Sequence, residues 1–175
     1  ALLDAGDADS AARVLAFLRE GCVPLADGSV GVRWVEGGDT LNACSTGATG
    51  LVALRLATTV SEAGERASLL ELAAACAAFL EGLVDGDGLV ADHRRPDGSV
   101  DPGVYTYNQG LLVGLLAGLG RADDALALAL RVMGAFDDER LWSHAPAFDA
   151  ILVRELLRVD APHSGARVRS WCEAY

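Results

Sequence analysis

One short pattern occurs twice in this chain and decides most of what it can fold into. Asp27-Gly28-Ser29-Val30 stands ahead of Asn42, and Asp97-Gly98-Ser99-Val100 stands ahead of Asn108. Each tetrapeptide leads through a loop carrying aromatic residues into a helix of small side chains. A unit reused in this way cannot bury its apolar face alone, so it must stack on its own repeats. Apolar periodicity supplies the rest. Val14, Leu15, Phe17 and Leu18 form a stripe between Ser10 and Gly21, which predicts a helix capped by Asp9 or Ser10. Similar stripes predict helices over Asn42 to about Thr59 and Ser68 to Leu83. Further ones span Gln109 to Leu119, Ala122 to Phe136, Ala147 to Val159 and Ser164 to Trp171, which makes seven.

Glycine and alanine saturate these helices, which lets helix axes approach closely and suits burial on two sides. The order of long loop, inner helix, short turn and outer helix then predicts an all-α chain of helical hairpins, a partial α/α toroid with its long loops gathered at one end. Residues 1–175 are expected to form a single domain, since this length supports one sizeable core and not two. The exception to helix is residues 84–104. Leu89-Val90-Ala91-Asp92-His93 and Ser99-Val100 flank Arg94-Arg95-Pro96-Asp97-Gly98, a turn signal that predicts one small β-hairpin.

Charge and cysteine content remove several classes of function. The net charge is −11 and all 14 basic residues are arginine, a balance that repels phosphate backbones, so no nucleic-acid partner is expected. Apolar runs are interrupted before the roughly 18–20 residues a membrane span needs. Cys22, Cys44, Cys76 and Cys172 are far apart, no Cys-x-x-Cys occurs, and no histidine stands at metal-ligand spacing, so neither a metal nor another cofactor is expected. Any pair of these cysteines remains open to a disulfide. The start Ala1-Leu2-Leu3-Asp4 has no initiator methionine and no signal-peptide pattern, and is read as part of a longer product.

The residues with most chemistry are Tyr105-Thr106-Tyr107-Asn108-Gln109-Gly110. Tyr105 and Tyr107 offer faces to the C–H side of a pyranose, and Asn108 and Gln109 offer mixed donors and acceptors to its hydroxyls. The competing reading is structural, with Thr106 or Asn108 capping the helix and the tyrosines packing a loop.

Trp34, Asp39-Thr40-Leu41-Asn42-Ala43-Cys44-Ser45-Thr46, Leu54-Arg55-Leu56, Asp87-Gly88-Leu89-Val90-Ala91-Asp92 and the tyrosine motif together resemble the second half of glycoside hydrolase family 76, which contains endo-α-1,6-mannanases. The resemblance covers about Asp9 to Val159, and its most specific part is Tyr107-Asn108-Gln109-Gly110 opening a helix. It implies part of an (α/α)₆ barrel of twice this length, binding an oligo- or polysaccharide that contains mannose. It also implies a sugar cleft lined by Tyr107, Asn108 and Gln109, with Tyr105, Trp34, Asn42, Asp92 and Trp142 as further candidates. The family's catalytic Asp-Asp followed by aromatics has no counterpart in this sequence, so the catalytic residues are unassigned and are expected in an amino-terminal half. Asp123-Asp124 opens a helix, where its dipole accounts for the pair. Asp137-Asp138-Glu139 before Leu141-Trp142 is a second acidic candidate. The chain alone is expected to be inactive and to self-associate through the open edge of an incomplete ring. By the same analogy, the enzyme would meet its polymer outside the cell or at its envelope. Two other readings stay open: a non-catalytic carbohydrate-binding or scaffold module, and another toroid enzyme such as a sugar epimerase or unsaturated-uronide hydrolase.

Overall fold

The computed structural model describes residues 6–136, 140–141, 143–159 and 165–174. Its helices are α1 (Ala8–Glu20), α2 (Ala43–Leu56), α3 (Ala63–Glu81), α4 (Thr106–Gly118), α5 (Ala122–Ala135), α6 (Pro146–Leu156) and α7 (Gly165–Ala174). Five short strands accompany them: β1 (Cys22–Pro24), β2 (Val30–Val32), β3 (Leu41–Asn42), β4 (Ala91–Arg94) and β5 (Val100–Val104). Helix α4 lies between α2 and α6, with α3 and α5 as the outer partners of α2 and α4. This is an arc of helical hairpins. The segments leading into α2, α4 and α6 gather at one end, and the short turns into α3 and α5 lie at the other.

Glycine explains how closely the inner helices pack. Gly110, Gly114 and Gly118 recur every fourth residue along α4. A Cβ at Gly110 would lie 2.7 Å from the Leu152 Cα of α6, one at Gly114 2.7 Å from Glu155 Oε2, and one at Gly118 2.2 Å from Leu54 Cδ2 of α2. At Gly110 the neighbours are all backbone, so no side chain fits there, while the Glu155 and Leu54 side chains fill the space at Gly114 and Gly118. On α2, Gly47 and Gly50 take Leu111 and Leu115 of α4 in the same manner. Around these contacts one apolar core runs from Ala11 to Val159, with Phe79, Leu80, Leu112, Leu115, Leu152 and Leu156 fully buried. Burying each such side chain contributes about 1.5–3 kcal/mol. Glu155 is 1% exposed inside this wall and accepts hydrogen bonds from Arg55 of α2, Arg154 and Arg158. Its burial is tolerated because it is paired several times over.

The predicted hairpin forms as β4 and β5, but it is not the only β structure. β1 pairs with β2, and β3 joins β4 to make a three-stranded sheet in the order β3-β4-β5. The repeated tetrapeptides are the tips of the two hairpins. In both, Ser29 or Ser99 donates its backbone N–H at 2.9 Å and its hydroxyl at 2.6 Å to the Asp27 or Asp97 carboxylate. Gly28 and Gly98 both adopt φ +85°, the left-handed step that ends a type I hairpin turn.

Several boundaries differ from expectation for local reasons. The cap of α1 is Asp7, which accepts from Ser10 N, and not Asp9 or Ser10. α3 starts at Ala63 because the Glu62 carboxylate accepts from Gly64 and Glu65, so a capping acid replaces the missing apolar stripe. Asn42 ends β3 and precedes α2 instead of opening it. α4 begins at Thr106, three residues early, with Tyr105 in the cap position and no side-chain cap; neither Thr106 nor Asn108 performs that role.

Candidate functional site

The first turn of α4 meets the β3-β4-β5 sheet at the loop-bearing end of the arc. β4 presents Asp92 and His93 through an irregularity in its ladder: Ala91 pairs with Val104 but His93 pairs with Asp101, so Pro102-Gly103 of the edge strand oppose Asp92 alone. Proline has no N–H to lose there, and the bulge re-aims the neighbouring side chains. Consecutive strand residues ordinarily point to opposite faces. Here His93 Nδ1 and Asp92 Oδ2 are 2.9 Å apart, while Asn108 Nδ2 donates to Asp92 Oδ1 at 3.3 Å.

Gln109 fixes this geometry from below. Its Oε1 accepts from Val90 N at 2.8 Å, and its Nε2 donates to Val90 O at 2.8 Å and Tyr105 O at 3.1 Å. The amide thus pairs with one residue of the chain as a neighbouring strand would. α2 repeats the device: Val32 N donates to Thr46 Oγ1 and Ser45 Oγ donates to Val32 O. Gln109 is wholly buried, and its polar capacity is spent on the chain that carries Asp92.

Tyr105 and Tyr107 stack on each other, with centroids 5.4 Å apart and planes 7° apart. Phe148 of α6 meets Tyr107 edge-on at 4.7 Å, and His144 lies 6.1 Å from Tyr105. Each tyrosine therefore has one face already covered. Burial, with the nearby Asp92 charge, raises the Tyr107 phenol above its ordinary range, and burial with the same carboxylate raises the Cys44 thiol. The charge of Asp92 thus bears on Cys44 of α2 and Tyr107 of α4. Asn108 Oδ1 is buried with no hydrogen-bond partner among the described residues. Asp149, wholly buried in the first turn of α6, lies 3.9 Å from His144 Nδ1; a helix N-terminus favours a carboxylate at that position.

The structure thus brings Tyr105, Tyr107, Asn108 and Asp92 together. Asn42 is adjacent, paired across the sheet with His93, and its Oδ1 accepts from Thr40 Oγ1 at 3.3 Å. Trp34 lines a separate groove. Trp142, like Asp137-Asp138-Glu139, lies outside the described residues. Sequence reasoning assigned no role to His144, Phe148 or Cys44. Asp123 and Asp124 open α5, at the opposite end of α4, about 20 Å of helix from Tyr107. Asp124 is paired with Arg121 at 2.8 Å. Among the described residues no group of three or more side chains is placed to hold a metal ion, and no helix is long and apolar enough to cross a membrane.

The chain resembles several solved structures. Over 98% of its length it superposes on 55% of the α-1,6-mannanase of Salegentibacter sp. HEL1_6, with a TM-score of 0.75 and 23% identity. An inactive variant of that enzyme, with two consecutive aspartates replaced, was crystallised with an α-1,6-mannotetraose. A Listeria innocua protein matches with a TM-score of 0.71 and 18% identity, over 94% of this chain and 56% of its own. A family 76 mannosidase of Bacteroides thetaiotaomicron VPI-5482 matches at 0.66 and 19%, over 88% and 48%. The chain therefore spans about half the length of these structures, and their shared (α/α)₆ toroid accounts for the arc of hairpins. No curated protein matches it. The profile described as Glycosyl hydrolase family 76 matches residues 27–137, more than half of the chain and all of the Asp92–Asn108 site, and the chain belongs to that family.

Proposed function

We propose that this chain forms the sugar-orienting side of a cleft that hydrolyses α-1,6-linked mannan, with the catalytic carboxylates supplied by the part of the ring it does not span. The observation that carries the reading is that Asn108 holds the Asp92 carboxylate beside the stacked Tyr105 and Tyr107 rings at the N-terminal end of an inner helix. A carboxylate fixed by two neighbours keeps lone pairs for sugar hydroxyls, and a phenol that stays protonated donates one more hydrogen bond. Tyr105, Phe148 and His144 supply an apolar wall for a pyranose edge.

Holding the sugar in place lowers the barrier only when a nucleophile and a separate acid/base flank the scissile bond. Asp92 is assigned to orientation. Gln109 acts through Val90 and Tyr105 without touching the sugar, and Asn42 supports the His93 side of the sheet. The polymer would be met outside the cell or at its envelope. Calorimetric titration with α-1,6-mannotetraose tests the proposal. Tyr107→Phe and Asp92→Asn should each weaken binding about tenfold or more, the value of one hydrogen bond to a charged or buried group, with melting temperatures near that of the parent. Unchanged affinity in both variants would overturn it.

A further inference from the structure

Two side chains hold the Asp92 carboxylate, and of the two only His93 changes charge near neutral pH. Asn108 Nδ2 donates to Oδ1 at 3.3 Å, and His93 Nδ1 lies 2.9 Å from Oδ2. An ionised carboxylate offers acceptors only, so at that distance the hydrogen sits on Nδ1. Nε2 is then the bare nitrogen of the neutral ring. The His93 and Asp92 side chains are 19% and 17% exposed, so protons exchange with solvent while a hydrogen bond to the charge counts for more than it would in open water.

Neighbouring residues of a regular strand point to opposite faces, so the contact between Asp92 and His93 depends on the bulge opposite Pro102-Gly103. Across the sheet, His93 stands between Asn42 of β3 and Asp101 of β5. Asn42 carries no charge. Asp101 accepts from Gly103 N at 3.0 Å and pairs with Arg95, and the charge of His93 bears on it as well. On the helix side, burial pushes up both the Cys44 thiol of α2 and the Tyr107 phenol of α4. Both stay neutral while an imidazole titrates. Arg94, next along β4, lies over the Phe79 ring instead.

We propose that His93 is a positioning residue for the Asp92 carboxylate, and that its protonation makes sugar recognition pH-dependent, strong with a neutral imidazole and weaker with a charged one. This rests on the reading of Asp92 as a sugar-orienting group. The neutral ring donates one hydrogen bond to Oδ2, fixes the carboxylate plane together with Asn108, and leaves the negative charge for sugar hydroxyls. When Nε2 takes a proton from solvent, the imidazolium forms an ion pair with Asp92 and draws on that same charge. The hydrogen bonds to sugar weaken while the geometry holds. His93 itself touches no sugar in this role.

Two measurements on the full chain test this. Without sugar, the ring-nitrogen shifts of His93 at pH 8 should report the Nδ1–H tautomer in the parent and move toward the Nε2–H form in Asp92→Ala; an Nε2–H ring in the parent would overturn the proposal. With α-1,6-mannotetraose, calorimetric titration should show affinity falling about threefold to tenfold between pH 8 and pH 5, the weakening of one hydrogen bond. His93→Asn keeps an N–H at the same δ position and has no titrating ring. It should bind within about twofold of the parent at pH 8 and hold that affinity at pH 5. His93→Phe should bind about threefold to tenfold more weakly at pH 8. If the parent's pH dependence persists in His93→Asn, another group such as His144 carries it and the proposal fails. It also fails if His93→Phe binds like the parent while Asp92→Asn has lost affinity, and the mannan reading then stands. If Asp92→Asn binds like the parent, or the parent binds no mannotetraose, both fail.

Discussion

Gly110 offers the sharpest test of how this ring is packed. An alanine there would place Cβ 2.7 Å from Leu152 Cα, 3.1 Å from Leu152 N and 3.1 Å from Ile151 O. All three are backbone atoms of α6, so no side-chain rotation relieves the clash and the α4–α6 axes must separate. Overpacking of this kind costs about 1–3 kcal/mol, and here the upper half of that range applies because a whole helix has to shift. The better helix propensity of alanine returns at most about 1 kcal/mol, which leaves a net loss of about 1–2 kcal/mol. Gly134 is the internal control. It lies in α5, and an added methyl there would meet nothing within 4 Å, so Gly134→Ala should be neutral or stabilising by up to about 0.5–1 kcal/mol. Thermal melts followed by circular dichroism should show opposite shifts, with Gly110→Ala lower by about 2–8 °C for a chain of this size. If both variants shift the same way, or Gly110→Ala melts with the parent, the close helix contact is not what this glycine provides.

Buried polar groups and thiols give further expectations. Gln109→Met keeps the volume but strands the Val90 N–H and C=O in a buried site, and should cost about 2–4 kcal/mol in urea denaturation; a loss below about 0.5 kcal/mol would remove Gln109 as the anchor of β4. Burial pushes the Cys76 thiol up to about 12, so at mildly alkaline pH it should react with a thiol reagent only on unfolding, after the more exposed Cys22 and Cys44. Asp27 and Asp97 are held below the ordinary carboxylate value of 3.8 by hydrogen bonds from Ser29 and Ser99. Because their folded values are depressed, their contribution is complete above 3.8 and is lost as pH falls through the lower folded values. Melts taken at successively lower pH should therefore show Asp97→Asn losing less stability on acidification than the parent.

What the sequence disclosed and what it withheld divide along physical lines. The hairpin units were legible because Asp27-Gly28-Ser29 and Asp97-Gly98-Ser99 are local signals: a carboxylate, a glycine able to reach φ +85° and a serine need only each other. The helices were legible from periodicity, except where a cap decided the boundary, as with Glu62 ahead of α3. β1, β2 and β3 were missed because strands of two or three residues carry no period to read. Their pairing depends on partners remote in sequence, such as Asn42 with His93. At the site, Tyr107 and Asn108 could be named as candidates from residue type, and Asp92 through the family resemblance. His144 and Phe148 reach Tyr105 and Tyr107 only through the docking of α6 against α4, a contact that no local pattern encodes.

Gln109 shows why residue type alone assigns roles poorly. An amide next to tyrosines invites a ligand, yet its atoms lie 2.8 Å from the N and O of Val90, so its hydrogen-bonding capacity is spent on the chain. Its neighbour Asn108 is equally buried but holds Asp92 with one atom and leaves Oδ1 without a partner among the described residues. Two adjacent amides at the start of α4 therefore divide the work. Gln109 ties the strand to the helix, and Asn108 sets the carboxylate that the strand carries, so the fold and the proposed recognition of sugar meet within one helical turn.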